Sequence, residues 1–202
     1  SYYKKQNKSE SGKIMKSKRN YPIVTVTKKA EAVLKKGHPW VYDAEILSVE
    51  GSPENGKLCD ILSKKGRYLG TGFLSEQSKI RLRLISRNAN DRFDEAFWQR
   101  RLRYAWEYRK TVMQPEDLDC CRIIFGEADH FPGLTVDKFG DYLSFQIVSL
   151  GMEQRKAQLV QILIDLFQPK GIFERNDVPV RQKEGMPLLT GCVYGEVPAE
   201  SV

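Results

Sequence analysis

The sequence predicts an α+β fold, a small β-barrel followed by a module of β-β-α-β-β order. Three observations carry this. Short strand-like runs separated by Gly-containing turns fill residues 21–90. The apolar period changes from two to 3.6 at Asp91. Beyond Pro115, short apolar runs flank one helical pattern, the signature of a layered α+β unit.

The elements follow in order. Ile23-Val24-Thr25-Val26 reads as a strand, residues 30–36 as a brief helix, and Gly37-His38-Pro39 as the turn before a strand at Trp40-Val41-Tyr42. Strands at 58–62 and 68–73 are joined by Lys64-Lys65-Gly66, and a further strand covers 79–85. From Asp91 the residues Phe93, Phe97, Trp98, Leu102, Ala105, Trp106 and Val112 fall at helical spacing, predicting one amphipathic helix over 92–113 that Pro115 stops. Strands are then expected at 121–125, 134–138 and 142–148, a helix over 152–167 ending before Pro169-Lys170-Gly171, and strands at 172–174 and 188–194. The domains predicted are a basic tail without fixed structure over 1–20, the barrel over 21–90, and an α+β domain over 91–202 that includes the linking helix.

Composition narrows the function. No apolar run reaches the roughly 18 residues of a membrane span, no leader-like apolar segment opens the chain, and four cysteines make no disulfide framework; a cytoplasmic protein with no membrane partner is expected. The net charge of +7 is polarised. Residues 1–20 carry +6, residues 21–90 hold twelve basic and seven acidic residues for a net +5, and residues 91–202 carry −4. A basic first half favours a polyanion, most simply nucleic acid.

Motifs sharpen the expectation. The G-x-G at Gly70-Thr71-Gly72 sits inside a strand and lacks a following helix, so it reads as a bulge or close backbone approach, not a dinucleotide turn. Period-two alternation puts Lys79, Arg81 and Arg83 on one face of a strand, spaced to meet successive phosphates. Lys64, Lys65 and Arg67 add charge, while Trp40, Tyr42 and Tyr68 offer rings for unpaired bases. The competing reading is a solvated barrel face. A second charged cluster spans 173–185, where Arg175 and Arg181 can bind phosphate or carboxylate, or can fix a loop together with Asp177. Glu127, Asp129 and His130 offer metal ligands, weighed against carboxylates that bond turn amides; no metal is assigned. The cysteines, including the adjacent Cys120 and Cys121, are read as buried small hydrophobes.

Together, the segments Gly37-His38-Pro39-Trp40-Val41-Tyr42, 78–83, Arg122-Ile123-Ile124-Phe125-Gly126-Glu127-Ala128-Asp129, Pro132-Gly133-Leu134-Thr135-Val136-Asp137-Lys138-Phe139-Gly140, and Glu174-Arg175-Asn176-Asp177 through Arg181 to Glu184-Gly185 resemble the N-terminal part of a bacterial family. Its members are S-adenosylmethionine-dependent methyltransferases that modify a cytosine at carbon 5 in large-subunit ribosomal RNA. The resemblance spans nearly all of residues 23–197, in order. Cys120-Cys121 and His130-Phe131 depart from it, standing where the family favours Ser-Tyr and Gly-Leu.

The resemblance implies a PUA-type RNA-binding barrel and a central α+β domain, with the Rossmann-like domain that holds cofactor and nucleophilic cysteine absent from this chain. In the family reaction a cysteine thiolate adds to carbon 6 and carbon 5 takes the methyl group. None of the four cysteines here matches that nucleophile, so no catalytic residue is carried over. S-adenosylmethionine is expected in the longer protein and no cofactor in this chain. The partner that the resemblance implies is RNA, with large-subunit rRNA the expected kind, and the oligomeric state is left open. Lys64, Lys65, Arg67, Tyr68, Trp40, Lys79, Arg81 and Arg83 are the expected RNA contacts, and Asp129, Arg175, Asp177 and Arg181 are expected to face the active site. The rivals are a stand-alone RNA-binding protein and a metal-dependent hydrolase using Glu127, Asp129 and His130.

Overall fold

The computed structural model describes residues 19–198. The tail expected over 1–20 lies outside them except at its end, and there Arg19 is not tail-like. Its Nη1 donates to Thr71 Oγ1 at 3.0 Å, and its guanidinium lies 5.9 Å from the Tyr68 ring centre and 5.7 Å from that of Phe93. Fixed structure therefore starts before Tyr21, because the barrel presents the Tyr68 ring and the Asp60 carboxylate to this cation and the segment before α2 adds the Phe93 ring.

The first half comprises β1 (Ile23–Val26), α1 (Lys28–Lys35), β2 (Trp40–Tyr42), β3 (Ile46–Glu50), β4 (Leu58–Ser63), β5 (Tyr68–Leu74) and β6 (Ile80–Ser86). They form a six-stranded sheet in the order β2-β6-β5-β4-β1-β3, with β1 and β4 parallel and the other neighbours antiparallel. Val41 from one edge strand and Val24 and Val26 from beside the other edge join one core with Cys59, Ile61, Leu82 and Leu84, so the sheet curls around its own interior. Ala30 and Leu34 of α1 enter the same core, one helical turn apart. Gly72 shows the close approach its sequence context implied. A Cβ there would lie 2.5 Å from the Arg83 carbonyl oxygen, at a bulge between Thr71 and Gly72.

α2 (Glu95–Val112) begins where the Asp94 carboxylate accepts the Phe97 amide at 3.0 Å, and it buries Phe97, Trp98, Leu102 and Ala105. Beyond a 3-10 turn at Pro115–Asp119 come β7 (Cys120–Phe125), β8 (Leu134–Phe139), β9 (Tyr142–Ile147), α3 (Leu150–Glu153), α4 (Lys156–Phe167), β10 (Gly171–Asn176) and β11 (Leu189–Gly195). The sheet order is β11-β10-β9-β8-β7, antiparallel except for β9–β10.

Two expectations change here. The order is β-β-β-α-α-β-β, because the strand expected over 121–125 pairs along β8 from Cys120↔Phe139 to Phe125↔Thr135 and belongs to the sheet that the β-β-α-β-β order left one strand short. The helix expected over 152–167 is two helices, broken at Arg155 (φ −108°, ψ 5°), whose side chain turns toward Phe73 and Trp98.

One face of the second sheet, with Val136, Leu143, Phe145, Ile147 and Ile172, packs under α2 and α4. Leu58, Phe73 and Ile85 of the first sheet enter that same core, and the Phe73 and Trp98 rings stack with centroids 6.3 Å apart. Gly151 makes the contact fit, because a Cβ would sit 2.1 Å from the Phe73 ring. The two sheets are thus joined through buried apolar surface. Among the described residues no helix is long and apolar enough to cross a membrane.

Candidate nucleic-acid interface

The strongest concentration of exposed cations lies at one end of the first sheet. Thr27 caps α1 by accepting the Ala30 amide at 3.2 Å, and burial of Ala30 and Leu34 fixes the helix roll so that Lys28, Lys29, Lys35 and Lys36 stay exposed. The β4–β5 turn carries exposed Lys64, Lys65 and Arg67, closed by Gly66 at φ 73° and by the Arg67 amide donating to Ser63 Oγ. The turn and helix are electrostatic neighbours. The Glu31 carboxyl is held below its ordinary range by its hydrogen bond from Lys35 and by the charges of Lys35, Arg67 and Lys65. Exposed cations on the helix and on the turn, with Lys35, Lys65 and Arg67 close enough to act on Glu31, suit a phosphate backbone. The turn stands out in the sequence and the helix lysines do not, although Lys28-Lys29 and Lys35-Lys36 bracket the apolar Ala30/Leu34 stripe.

The open row of three cations on β6 is not formed. Alternation does bury Leu82 and Leu84, and Lys79 is exposed, but the second half of the chain covers the opposite face at Arg83. Arg83 is 7% exposed, with Nη2 3.0 Å from Glu184 Oε1, Nη1 3.3 Å from Glu127 Oε1, and its guanidinium 5.7 Å from the Trp40 ring centre. Arg81 is held by Asp43 at 2.8 Å and donates to the Ser75 and Glu76 carbonyls. Nor are the two cation groups neighbours, because β5 separates the Lys64–Arg67 turn from Lys79 by roughly 20 Å.

The expected stacking rings are also engaged. Trp40 Nε1 donates to Glu127 Oε1 at 2.8 Å, while the Tyr68 hydroxyl lies 2.7 Å from Thr71 Oγ1 and burial pushes its phenol pKa up. Tyr42, 40% exposed, is the ring of the three left open.

In the second half, Arg181 is 0% exposed and does not face outward. Its Nε donates to the Pro187 carbonyl at 2.9 Å, and Nη1 to the Ile147 carbonyl and to Glu153 Oε2. It ties the 3-10 turn Pro179–Glu184 to the end of β9. Asp129 pairs with both Arg109 Nη atoms, at 2.9 and 2.6 Å, and accepts the Phe125 amide. Both fix the fold, Arg181 fully buried and Asp129 half-buried against Arg109.

Arg175 and Asp177 remain outward, 3.6 Å apart. Arg175 lines a groove of about 450 Å³ on the open face of the second sheet with Arg122, Asp137, Tyr142, Gln146 and Phe173. Strand alternation sends Glu174 and Asn176 the other way, where Glu174 meets Lys156 at 2.9 Å.

Among the described residues no group of three His, Cys, Asp or Glu side chains could hold a metal. Glu127 turns to Trp40 and Arg83, and Asp129 to Arg109, while burial and the neighbouring Arg101 and Arg87 lower the His130 pKa. The hydrolase reading loses its ligand set. Of the thiols only Cys59 is the buried hydrophobe expected, with its pKa pushed up to about 11 by burial; Cys120 and Cys192 are exposed on the second sheet.

Comparison with known proteins follows the same lines. Residues 24–87 match a family described as a PUA-like domain. Ribosomal RNA large subunit methyltransferase I of Klebsiella pneumoniae subsp. pneumoniae is 36% identical over 178 residues, 88% of this chain and 44% of the relative. The proteins of that name from Salmonella arizonae and Shigella boydii are 38% and 39% identical over 179 and 175 residues. Two solved structures share the fold at 20% identity over 88% of this chain, a methyltransferase complexed with SAH (TM-score 0.70) and a SAM-dependent methyltransferase from Streptococcus mutans (TM-score 0.71). The chain spans 44% of the length of each of these relatives.

Proposed function

We propose, from the premise that this chain carries a PUA-like domain and is similar over most of its length to large-subunit rRNA methyltransferases, that it is the RNA-recognition portion of an rRNA (cytosine-5) methyltransferase. The observation that carries the reading is the exposed cation cluster of α1 and the β4–β5 turn on the PUA-like domain. These side chains would hold the phosphate backbone, and Tyr42 would stack an unpaired base. Lys79 stands at the far end of β5 and would touch a separate part of the same RNA. In this reading Arg83, Trp40 and Arg181 support the surface without touching RNA, and Arg175 and Asp177 face the reacting domain of the longer protein.

Salt dependence tests the backbone contact. Counterion release makes each phosphate contact worth about 0.7 units in the slope of log affinity against log salt for single-stranded RNA. Replacing Lys64, Lys65 and Arg67 together by Gln is expected to flatten that slope by about two units without changing thermal stability. An unchanged slope would remove this end of the barrel from the interface.

S-adenosylmethionine belongs, in this reading, to the longer protein. The described residues do not fit it, since the G-x-G lies mid-strand in β5 with its Gly72 against the Arg83 backbone and no helix follows. Calorimetric titration of the chain with S-adenosylmethionine is expected to give no saturable heat. A one-to-one isotherm would contradict the assignment.

A further inference from the structure

At the junction of the two halves a guanidinium stands without a carboxylate partner among the described residues. Arg155 stacks on Phe73, its guanidinium carbon 4.5 Å from the ring centre, and lies 5.8 Å from that of Trp98. Nη1 donates to the Gly151 carbonyl at 2.9 Å, the one hydrogen bond this side chain makes among the described residues. Burial lowers its pKa, and the neighbour that opposes this is the Tyr21 phenol, not a carboxylate.

Arg101 gives the contrast. It stacks on Phe97 at 4.3 Å, but it donates to two carbonyls, those of Ile85 and His130, and has the Asp91 charge to offset its burial. That arrangement is closed. Arg155 instead lines a cleft of about 560 Å³ with Asn20, Tyr21, Ser52, Glu54 and the exposed Lys57.

Arg155 is half-buried, and Nη1 alone has a protein acceptor among the described residues, so its remaining donors are open to an arriving anion. Guanidinium stacked by its face on an aromatic ring keeps its edge donors for a tetrahedral oxyanion, which it binds through two parallel hydrogen bonds. Lys57 adds a second cation at the rim. We propose that Arg155 and Lys57 form a phosphate-binding site in this cleft, taking one phosphate group of a nucleic-acid backbone or of a phosphorylated small molecule. Glu54, exposed on the same rim, opposes the anion and sets the affinity down. The site lies toward the start of β4, at the opposite end of the first sheet from the α1 lysines, so it does not depend on the RNA contact proposed for that end.

The test follows the Arg155 Nε–H resonance of the whole chain by NMR. Inorganic phosphate is added against chloride at matched ionic strength, and a short oligouridylate is added separately. A saturable shift with phosphate is expected. Lys57→Gln should weaken it about tenfold, the loss of one charge-assisted contact, and Glu54→Gln should strengthen it. Both residues are exposed, so these variants keep the fold. If the phosphate belongs to RNA, oligouridylate moves the same resonance and loses affinity in Lys57→Gln by the same factor; if it belongs to a small molecule, inorganic phosphate alone moves it. An Arg155 resonance that neither probe moves, or a shift that Lys57→Gln leaves unchanged, overturns the site.

Discussion

Replacing Arg181 by Met is expected to destabilise the chain by about 3–5 kcal/mol, the cost of breaking a buried network of hydrogen bonds and an ion pair. The side chain is fully buried, and its loss strands the buried Ile147 carbonyl and takes a donor from the Pro187 carbonyl and from Glu153, which keeps Lys156 at 3.1 Å. For a chain of this size the melting temperature should fall by about 10 °C. Lysine rescues little, because a point charge cannot donate to three acceptors held in a planar fork. RNA affinity measured well below the melting point should be unchanged, since no part of this guanidinium reaches the surface. A variant that keeps its melting temperature but loses affinity would return Arg181 to a role at the reacting centre.

Arg83→Met should cost a similar amount, again about 3–5 kcal/mol, through a different carboxylate. Glu184 is 3% exposed and would keep only the Ser75 hydroxyl, at 2.8 Å, to satisfy its charge. Glu127 is less affected, as it is more exposed and retains the Trp40 indole. Adding Glu184→Gln to Arg83→Met removes the stranded charge and should recover much of the loss, so a double-mutant cycle by denaturant unfolding gives a favourable coupling between the two residues. A single variant within about 0.5 kcal/mol of the parent would show that the pair does not join the two halves.

These two arginines mark where sequence reading stops. β1, β4, β5 and β6 are legible as short apolar runs because each sends side chains into the barrel core, and α2 is legible because the apolar period changes from two to 3.6. β3 is not, since Ile46–Glu50 is an edge strand with four of five residues exposed, so no apolar face is selected. Alternation correctly gave the side of β6 on which Arg83 lies. It could not give the burial, which comes from Glu184, 101 residues away. In the same way the Glu174–Asp177 run looked like one charged cluster, whereas the pleat divides it into an inward pair and an outward pair. The α1 lysines were visible as residues but not as neighbours of the β4–β5 turn, because that proximity follows from how the helix packs on the barrel.

The central claim is that RNA lies on the α1 and β4–β5 end of the PUA-like domain. Photocrosslinking a 4-thiouridine-substituted rRNA fragment to the chain, with the crosslinked peptides identified by mass spectrometry, tests it most directly. Crosslinks are predicted in the peptides that contain Lys28 to Lys36, Tyr42, and Lys64 to Tyr68. Crosslinks confined to the second sheet, around Phe139, Tyr142 and Phe173, with none on the barrel, would contradict the claim.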